Sequence, residues 1–349
     1  MLYDRLADLG VRIDDYALTR HEQETSSGFA RTTTVVSLHG DGETGYGEDV
    51  TYDGAAHDAL ADSGETVPVT GEDTLEGLSE RLDDLDLFFG AEPEQSIFRN
   101  YRRWAFESAA LDLALKQRGT TLAERLDREP EPVRFVVSTR LEEPPTGDRV
   151  LEWLERDGDL EFKLDPTSEW TPDVIERLAD TDAVRVLDLK GQYHGTSVDQ
   201  PADPDLYERV IEGVPDALIE DPALTDATRP LFSGEEERVT WDYPIWSVET
   251  IRELPWEPAW LNIKPSRFGS VQSLFDALEH CEQTGIRMFG GGQFELDVGR
   301  EHLHTIASLF YPESPNDVAP TGYNDATPGA ELPSSPLEVP RNRRGLQWG

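Results

Sequence analysis

The chain runs to 349 residues, too long for one ordinary compact domain and suited either to two domains or to one barrel with an appendage. Its 71 acidic and 31 basic residues leave a formal charge of -40 spread along the whole sequence, which sets it against nucleic acid and anionic lipid surfaces as partners. The single cysteine, Cys281, excludes an internal disulfide, and without an apolar run of about 18 residues or a charged-then-apolar leader the expectation is a soluble, unexported protein with no membrane span.

Residues 1–130 read as mixed α and β. Alternation over residues 11–20 and 32–39 predicts strands, and Gly40-Asp41-Gly42 marks a turn. Residues 98–118 predict a helix, with Trp104, Ala105, Ala109, Leu111 and Leu113 on its apolar face and Gly119 as its stop. A Pro- and Glu-rich linker at 128–132 ends this block. Short apolar runs then alternate with helix-like stretches, at 134–138, 160–164, 184–189, 217–219, 239–241, 260–263 and 286–289. Strands repeated in this way suit a closed barrel over 131–311 better than an open doubly wound sheet, and no Gly-rich phosphate loop follows the first of them. Cys281 sits in the helical stretch 271–285, where a buried, inert thiol is expected. Residues 312–349, rich in Pro, Asn, Gly and Asp, predict an extended tail packing back on the first domain.

In a TIM barrel the active site lies at the C-terminal ends of the strands, so the residue that closes each run is the informative one. The second run closes Phe162-Lys163-Leu164-Asp165, the third Asp188-Leu189-Lys190, the fourth Glu220-Asp221-Pro222, the fifth Trp241-Asp242 and the sixth Ile263-Lys264-Pro265. Four of the 31 basic residues are lysines, Lys116, Lys163, Lys190 and Lys264, which leaves 27 arginines, and three of those four lysines fall at these ends. A high acid load with so little lysine also reads as a cytoplasmic protein of a salt-loving organism, in which most acids are simply solvated. Alternation turns Lys163 with Asp165, and Asp188 with Lys190, toward one mouth.

Asp188, Glu220 and Asp242 come from neighbouring strands. Carboxylates that close repel one another unless a dication or basic side chains sit among them. Oxygen-only ligation favours Mg²⁺ over zinc, and salt bridges to Arg or Lys at the rim are the other reading. Lys264 faces this ring. An amine beside a dication is disfavoured in its charged form and becomes a general base; the competing readings are a structural ion pair and a Schiff-base lysine of a barrel aldolase.

Further runs stand in a telling order: Gly45-Tyr46-Gly47-Glu48 and Glu107-Ser108-Ala109-Ala110-Leu111-Asp112 in the first block, Ile219-Glu220-Asp221-Pro222, then Asn262-Ile263-Lys264-Pro265-Ser266-Arg267-Phe268-Gly269, then Gly290-Gly291-Gly292-Gln293-Phe294-Glu295 with Gly299-Arg300. By these runs the chain resembles, over nearly its whole length, the enolase superfamily of mandelate racemase/muconate lactonizing type, on its o-succinylbenzoate synthase and muconate cycloisomerase branch. The resemblance implies an α/β fold, a modified TIM barrel (β/α)7β with an N-terminal α+β capping domain. It implies Asp188, Glu220 and Asp242 as Mg²⁺ ligands, Lys264 as an acid/base lysine, and loss of a proton α to the carboxylate of a small acid through an enediolate. Racemisation or epimerisation, β-elimination or cycloisomerisation follows, and a homo-oligomer is also implied.

Two departures stand out. The family places Lys-x-Lys where this chain has Lys163-Leu164-Asp165, and Asp-x-Asn where it has Asp188-Leu189-Lys190. Lys190 restores the positive charge missing at 165, either as a second base or as a partner of Asp165; alternatively the two form an inert pair and Lys264 works alone, which suits elimination better than racemisation. A member so altered also reads as a metabolite-binding or scaffold protein. Residues 21–31, including Ser27, correspond to the family's mobile specificity loop, Glu295 is a candidate substrate contact, and His194 is expected at the surface.

Overall fold

The structure, a computed structural model, describes residues 1–25, 28–62, 67–196, 198–325, 327–329 and 331–349. Strand β1 (Gly10–Ile13) pairs antiparallel with β5 (Gly71–Thr74), while β2 (Asp15–Glu24), β3 (Ala30–Gly40) and β4 (Glu43–Asp49) form an antiparallel sheet in that order. The run read as one strand over 11–20 therefore breaks at Asp14, and much of the expected loop at 21–31 is strand: β2 continues to Glu24 and β3 starts at Ala30, with Thr25 N donating to Phe29 O at 3.0 Å. The polar side chains misled because β2 is an edge strand, held by its ladder to β3 and nowhere buried on both faces. Ser26 and Ser27 lie outside the described residues.

The helix Phe98–Gln117 lies against this sheet. A Cβ on Gly45 would fall 2.2 Å from the Ala109 carbonyl oxygen and one on Gly47 2.0 Å from that of Ala105, so the Gly-Tyr-Gly-Glu run is first a packing motif. Its acid is a joint. Glu48 accepts from Leu296 N at 2.7 Å and Gly299 N at 2.8 Å, at the start of the barrel helix Val298–Phe310. Glu107 does the same for the helix Val271–Thr284, accepting from Val271 N at 2.8 Å, and Asp112 accepts from Leu346 N at 2.9 Å in the tail. The acids of the two cap motifs thus bind first domain, barrel and tail together.

The barrel staves are β6 (Val137–Thr139), β7 (Phe162–Leu164), β8 (Val184–Asp188), β9 (Leu218–Glu220), β10 (Val239–Trp241), β11 (Trp260–Ile263) and β12 (Arg287–Gly290), parallel and in chain order. Closure comes from further along. Phe135 bridges Asn316, Gly291 bridges Asp317, Val136 N donates to Asn316 O at 2.8 Å and Asp317 N to Gly290 O at 2.7 Å. Asn316, fully buried, also accepts Gly290 N on Oδ1 at 2.7 Å and donates from Nδ2 to Arg134 O at 2.9 Å. This stave completes the modified TIM barrel (β/α)7β, so the barrel continues past residue 311 into the stretch read as tail. Two polar residues near prolines carry no periodicity from which a strand could be read. Among the described residues no helix is long and apolar enough to cross a membrane. Burial pushes the Cys281 thiol up to about 12, as suits an inert core cysteine.

Two histidines of the helix Val298–Phe310 make stability pH-dependent. Burial pushes His302 down to about 3, with Lys116 adding to it, and neither ring nitrogen has a hydrogen-bond partner. Burial likewise lowers His304 to about 4, against its bond to Val318 O. A depressed folded value favours the neutral ring, so the stability is present above the ordinary value of 6.5 and is lost as pH falls through it toward the folded value. His302→Leu is expected to remove about 2 kcal/mol of the stability lost between about pH 8 and pH 5, read by urea unfolding at fixed salt. An unchanged difference between the two pH values would refute it.

Candidate active site

The residues that end β7 to β11 meet at one mouth of the barrel. Asp188, Glu220 and Asp242 are all fully buried there, and each has a cation beside it. Lys163 Nζ lies 2.5 Å from Glu220 Oε1, 3.2 Å from Asp188 Oδ2 and 3.3 Å from Asp317 Oδ2. Lys190 Nζ binds Asp188 Oδ2 and stands 3.5 Å from Asp165 Oδ1, whose other oxygen is 3.2 Å from Arg140 Nε. Lys264 Nζ lies 2.8 Å from Asp242 Oδ2, which also accepts the Tyr193 hydroxyl at 2.6 Å, and Arg267 Nη2 stands 3.2 Å from Oδ1. Asp221 turns back at φ 47 and accepts Asp242 N at 2.9 Å and Tyr243 N at 2.8 Å, fixing the end of the fifth stave.

Electrostatics follow from this crowding. Burial pulls Asp188 up, but Lys190 and Lys163 outweigh it and hold the carboxyl below the usual range. Burial opposes the ionisation of Asp242 in the same way and loses to Arg267 and Lys264. For Glu220 burial wins: with Asp188 and Asp242 adding to it and Lys163 resisting, the carboxyl stands well above its ordinary value. Asp221 is pushed up to about 7 by burial and by Asp242 and Asp188. Burial disfavours the Lys163 ammonium, yet Glu220 and Asp188 hold it charged well above the ordinary lysine range.

The three lysines line a cavity of about 520 Å³, walled by Phe29 and Tyr52 from the first domain and by Tyr193, Tyr243 and Phe294 from barrel loops. The acids lie behind the lysines, off the cavity surface. A second, more open cleft of about 660 Å³ surrounds Arg134, Trp260 and Arg287 at the opposite end of the barrel, away from this chemistry. Arg31, buried in β3, fixes the near wall: it donates to Thr51 O at 2.8 Å and Gln293 O at 2.9 Å, with its guanidinium 4.0 Å from the Tyr52 ring centre.

Each of the three acids is thus ion-paired in this structure, and among the described residues no three acid, His or Cys side chains form a ready metal-binding group. In kind the donors still fit a divalent cation. They are hard oxygens from adjacent staves, burial together with their mutual repulsion raises Glu220, and Asp242 Oδ1 and Asn262 Oδ1 are buried without a hydrogen bond. Such a cation enters only if an ammonium gives way.

Lys163, Lys190, Lys264 and Asp165 line the cavity, Lys190 through a left-handed turn after the third stave rather than through strand alternation. Glu295 does not: it accepts Gln293 N at 2.7 Å, lies 3.3 Å from Arg300 Nη2, and leaves Arg300 to line the wall. Ser27 lies outside the described residues, and the His194 side chain is exposed. Sequence reasoning missed Asp317, which sits in the unrecognised eighth stave. It also gave no role to Arg267, although the residue lies within a quoted run.

The family described as "Domain of unknown function (DUF8230)" matches this chain twice, its N-terminal domain over residues 4–125 and its C-terminal domain over 129–325. An o-succinylbenzoate synthase from Geobacillus kaustophilus is 26% identical over 96% of this chain and 92% of its own length. Among solved structures, a dipeptide epimerase from Methylococcus capsulatus complexed with Mg ion aligns with TM-score 0.71 and 18% identity, covering 96% of this chain and 99% of that one. A muconate cycloisomerase from Pseudomonas fluorescens aligns with TM-score 0.71 and 17% identity over 97% and 96%. A member of the enolase superfamily from Listeria innocua gives 0.71 and 17% over 96% and 94%. The fold is that of the enolase superfamily.

Proposed function

Since the chain belongs to the DUF8230 family, with both of that family's domains on an enolase-superfamily fold, we propose that it is a Mg²⁺-dependent lyase or isomerase that removes a proton α to the carboxylate of a small acid. The observation that carries this reading is Lys264, its Nζ 2.8 Å from Asp242 and lining the cavity in front of three buried acids from adjacent staves. Asp188, Glu220 and Asp242 would hold a divalent cation, which would supply Lewis-acid stabilisation of negative charge on the substrate carboxylate. Lys264 takes the proton, and the electron pair of the broken C–H bond moves into that carboxylate. Lys163 and Arg300 offer positive charge to the anion, with Glu295 holding Arg300 in place.

Lys190, shared between Asp165 and Asp188, is a partner of Asp165 in this reading, leaving Lys264 as the single base. One base supports elimination over racemisation, because only one face of the α-carbon then meets an amine. A panel of small carboxylic acids in heavy water with Mg²⁺, followed by NMR, is expected to show α-deuterium uptake that stops with chelator and resumes with added Mg²⁺. Uptake insensitive to chelator would end the metal-dependent reading. A second reading, a metabolite-binding protein without turnover, is favoured by the cation already beside each acid. It predicts bound ligand in the same spectra with no uptake at all.

A further inference from the structure

The chain turns sharply after Asp188. Lys190 adopts φ 55, a left-handed conformation unusual for a lysine, and this folds the residue back so that its backbone N donates to Asp188 Oδ1 at 3.1 Å while its Nζ binds Oδ2. The same amine faces a second acid on the cavity side, Asp165, at 3.5 Å, and lies 5.3 Å from the centre of the Tyr193 ring. Both Lys190 and Asp165 are partly open to the cavity, with side chains 14% and 12% exposed, whereas Lys163 is 1% exposed among three carboxylates. Of these two ammoniums, Lys190 is the less enclosed and the one with an acid on the cavity side.

We propose that Lys190 is a tethered cation that competes with the divalent ion for Asp188 and withdraws to Asp165 when that ion binds. This rests on the metal reading above and adds what this chain's own departures do to it. An ammonium on the oxygen that a dication needs has to leave, because a single positive charge at contact with a double one is strongly repelled in a partly buried site. Asp165 offers that ammonium a carboxylate within a short swing, and the Tyr193 ring face lies close by. Asp165 and Lys190 thus act as one device that sets how tightly the site holds its ion.

The test measures Mg²⁺ affinity directly, by calorimetry at a common ionic strength, for the wild type, Lys190→Asn, Asp165→Asn and the double variant. Asparagine tolerates the left-handed backbone, so the turn survives the first change. Lys190→Asn is expected to bind Mg²⁺ about tenfold more tightly or better. Asp165→Asn is expected to bind several-fold more weakly, since the displaced amine loses its receiver, and the double variant to match Lys190→Asn alone. Wild-type affinity or weaker in Lys190→Asn, or an Asp165→Asn effect that persists in full in the double variant, overturns the device while the metal reading stands. No Mg²⁺ binding by any of the four proteins removes the metal reading itself, and this inference with it.

Discussion

Lys264→Met is expected to slow α-deuterium uptake about a thousandfold, the loss typical when a positioned base is deleted. The residue sits where the sixth stave meets the short helix Pro265–Phe268, with its Nζ 2.8 Å from Asp242 Oδ2. Methionine keeps much of its length and reach, and Asp242 is not stranded, because Tyr193 donates to it at 2.6 Å and Arg267 stands 3.2 Å away. The fold is therefore expected to hold, and Mg²⁺ to bind at least as tightly as in the wild type, since the ammonium beside Asp242 is gone. Uptake within tenfold of wild type would show that another group takes the proton, whereas borohydride trapping at Lys264 would move the chemistry to an imine.

Lys163→Met is expected to act on stability before activity. Its ammonium is buried among Glu220, Asp188 and Asp317, so removing it leaves a set of carboxylates short of compensation. Breaking one partner out of such a buried pair costs about 3–5 kcal/mol. In chelator the variant is expected to unfold at lower urea by that margin. Added Mg²⁺ is expected to return much of the loss, since an ion that binds only the folded chain stabilises it by mass action, about 2.7 kcal/mol at a hundred times its dissociation constant. A deficit that Mg²⁺ leaves untouched would argue that no cation enters beside Glu220.

Much of the site was legible because strands alternate strictly. Once 160–164 and 184–189 read as staves, Lys163 and Asp188 had to point to one side, with Lys264 closing the sixth stave at the same mouth; Lys190 returns to that mouth through its left-handed turn. The cap motifs were visible as well, although their residues proved to be joints: Glu48 and Glu107 sit at the starts of barrel helices. Hidden from such reading were contacts between distant segments. Asp317 reaches Lys163 from a stave held only by its bonds to β6, β12 and their flanks, and Arg31 crosses from β3 to the loop after β12. Glu295 looked available to substrate, yet Arg300 claims it.

The amino-acid order by itself determined that charged residues, three of the four lysines among them, close the staves at the barrel mouth, because period-two alternation and the scarcity of lysine are local properties of the chain. The tertiary structure alone decided which carboxylate each lysine meets. Those pairings depend on how the ring closes, and it closes through Asn316 and Asp317, whose register is held by hydrogen bonds to strands at both ends of the barrel rather than by any periodicity of their own.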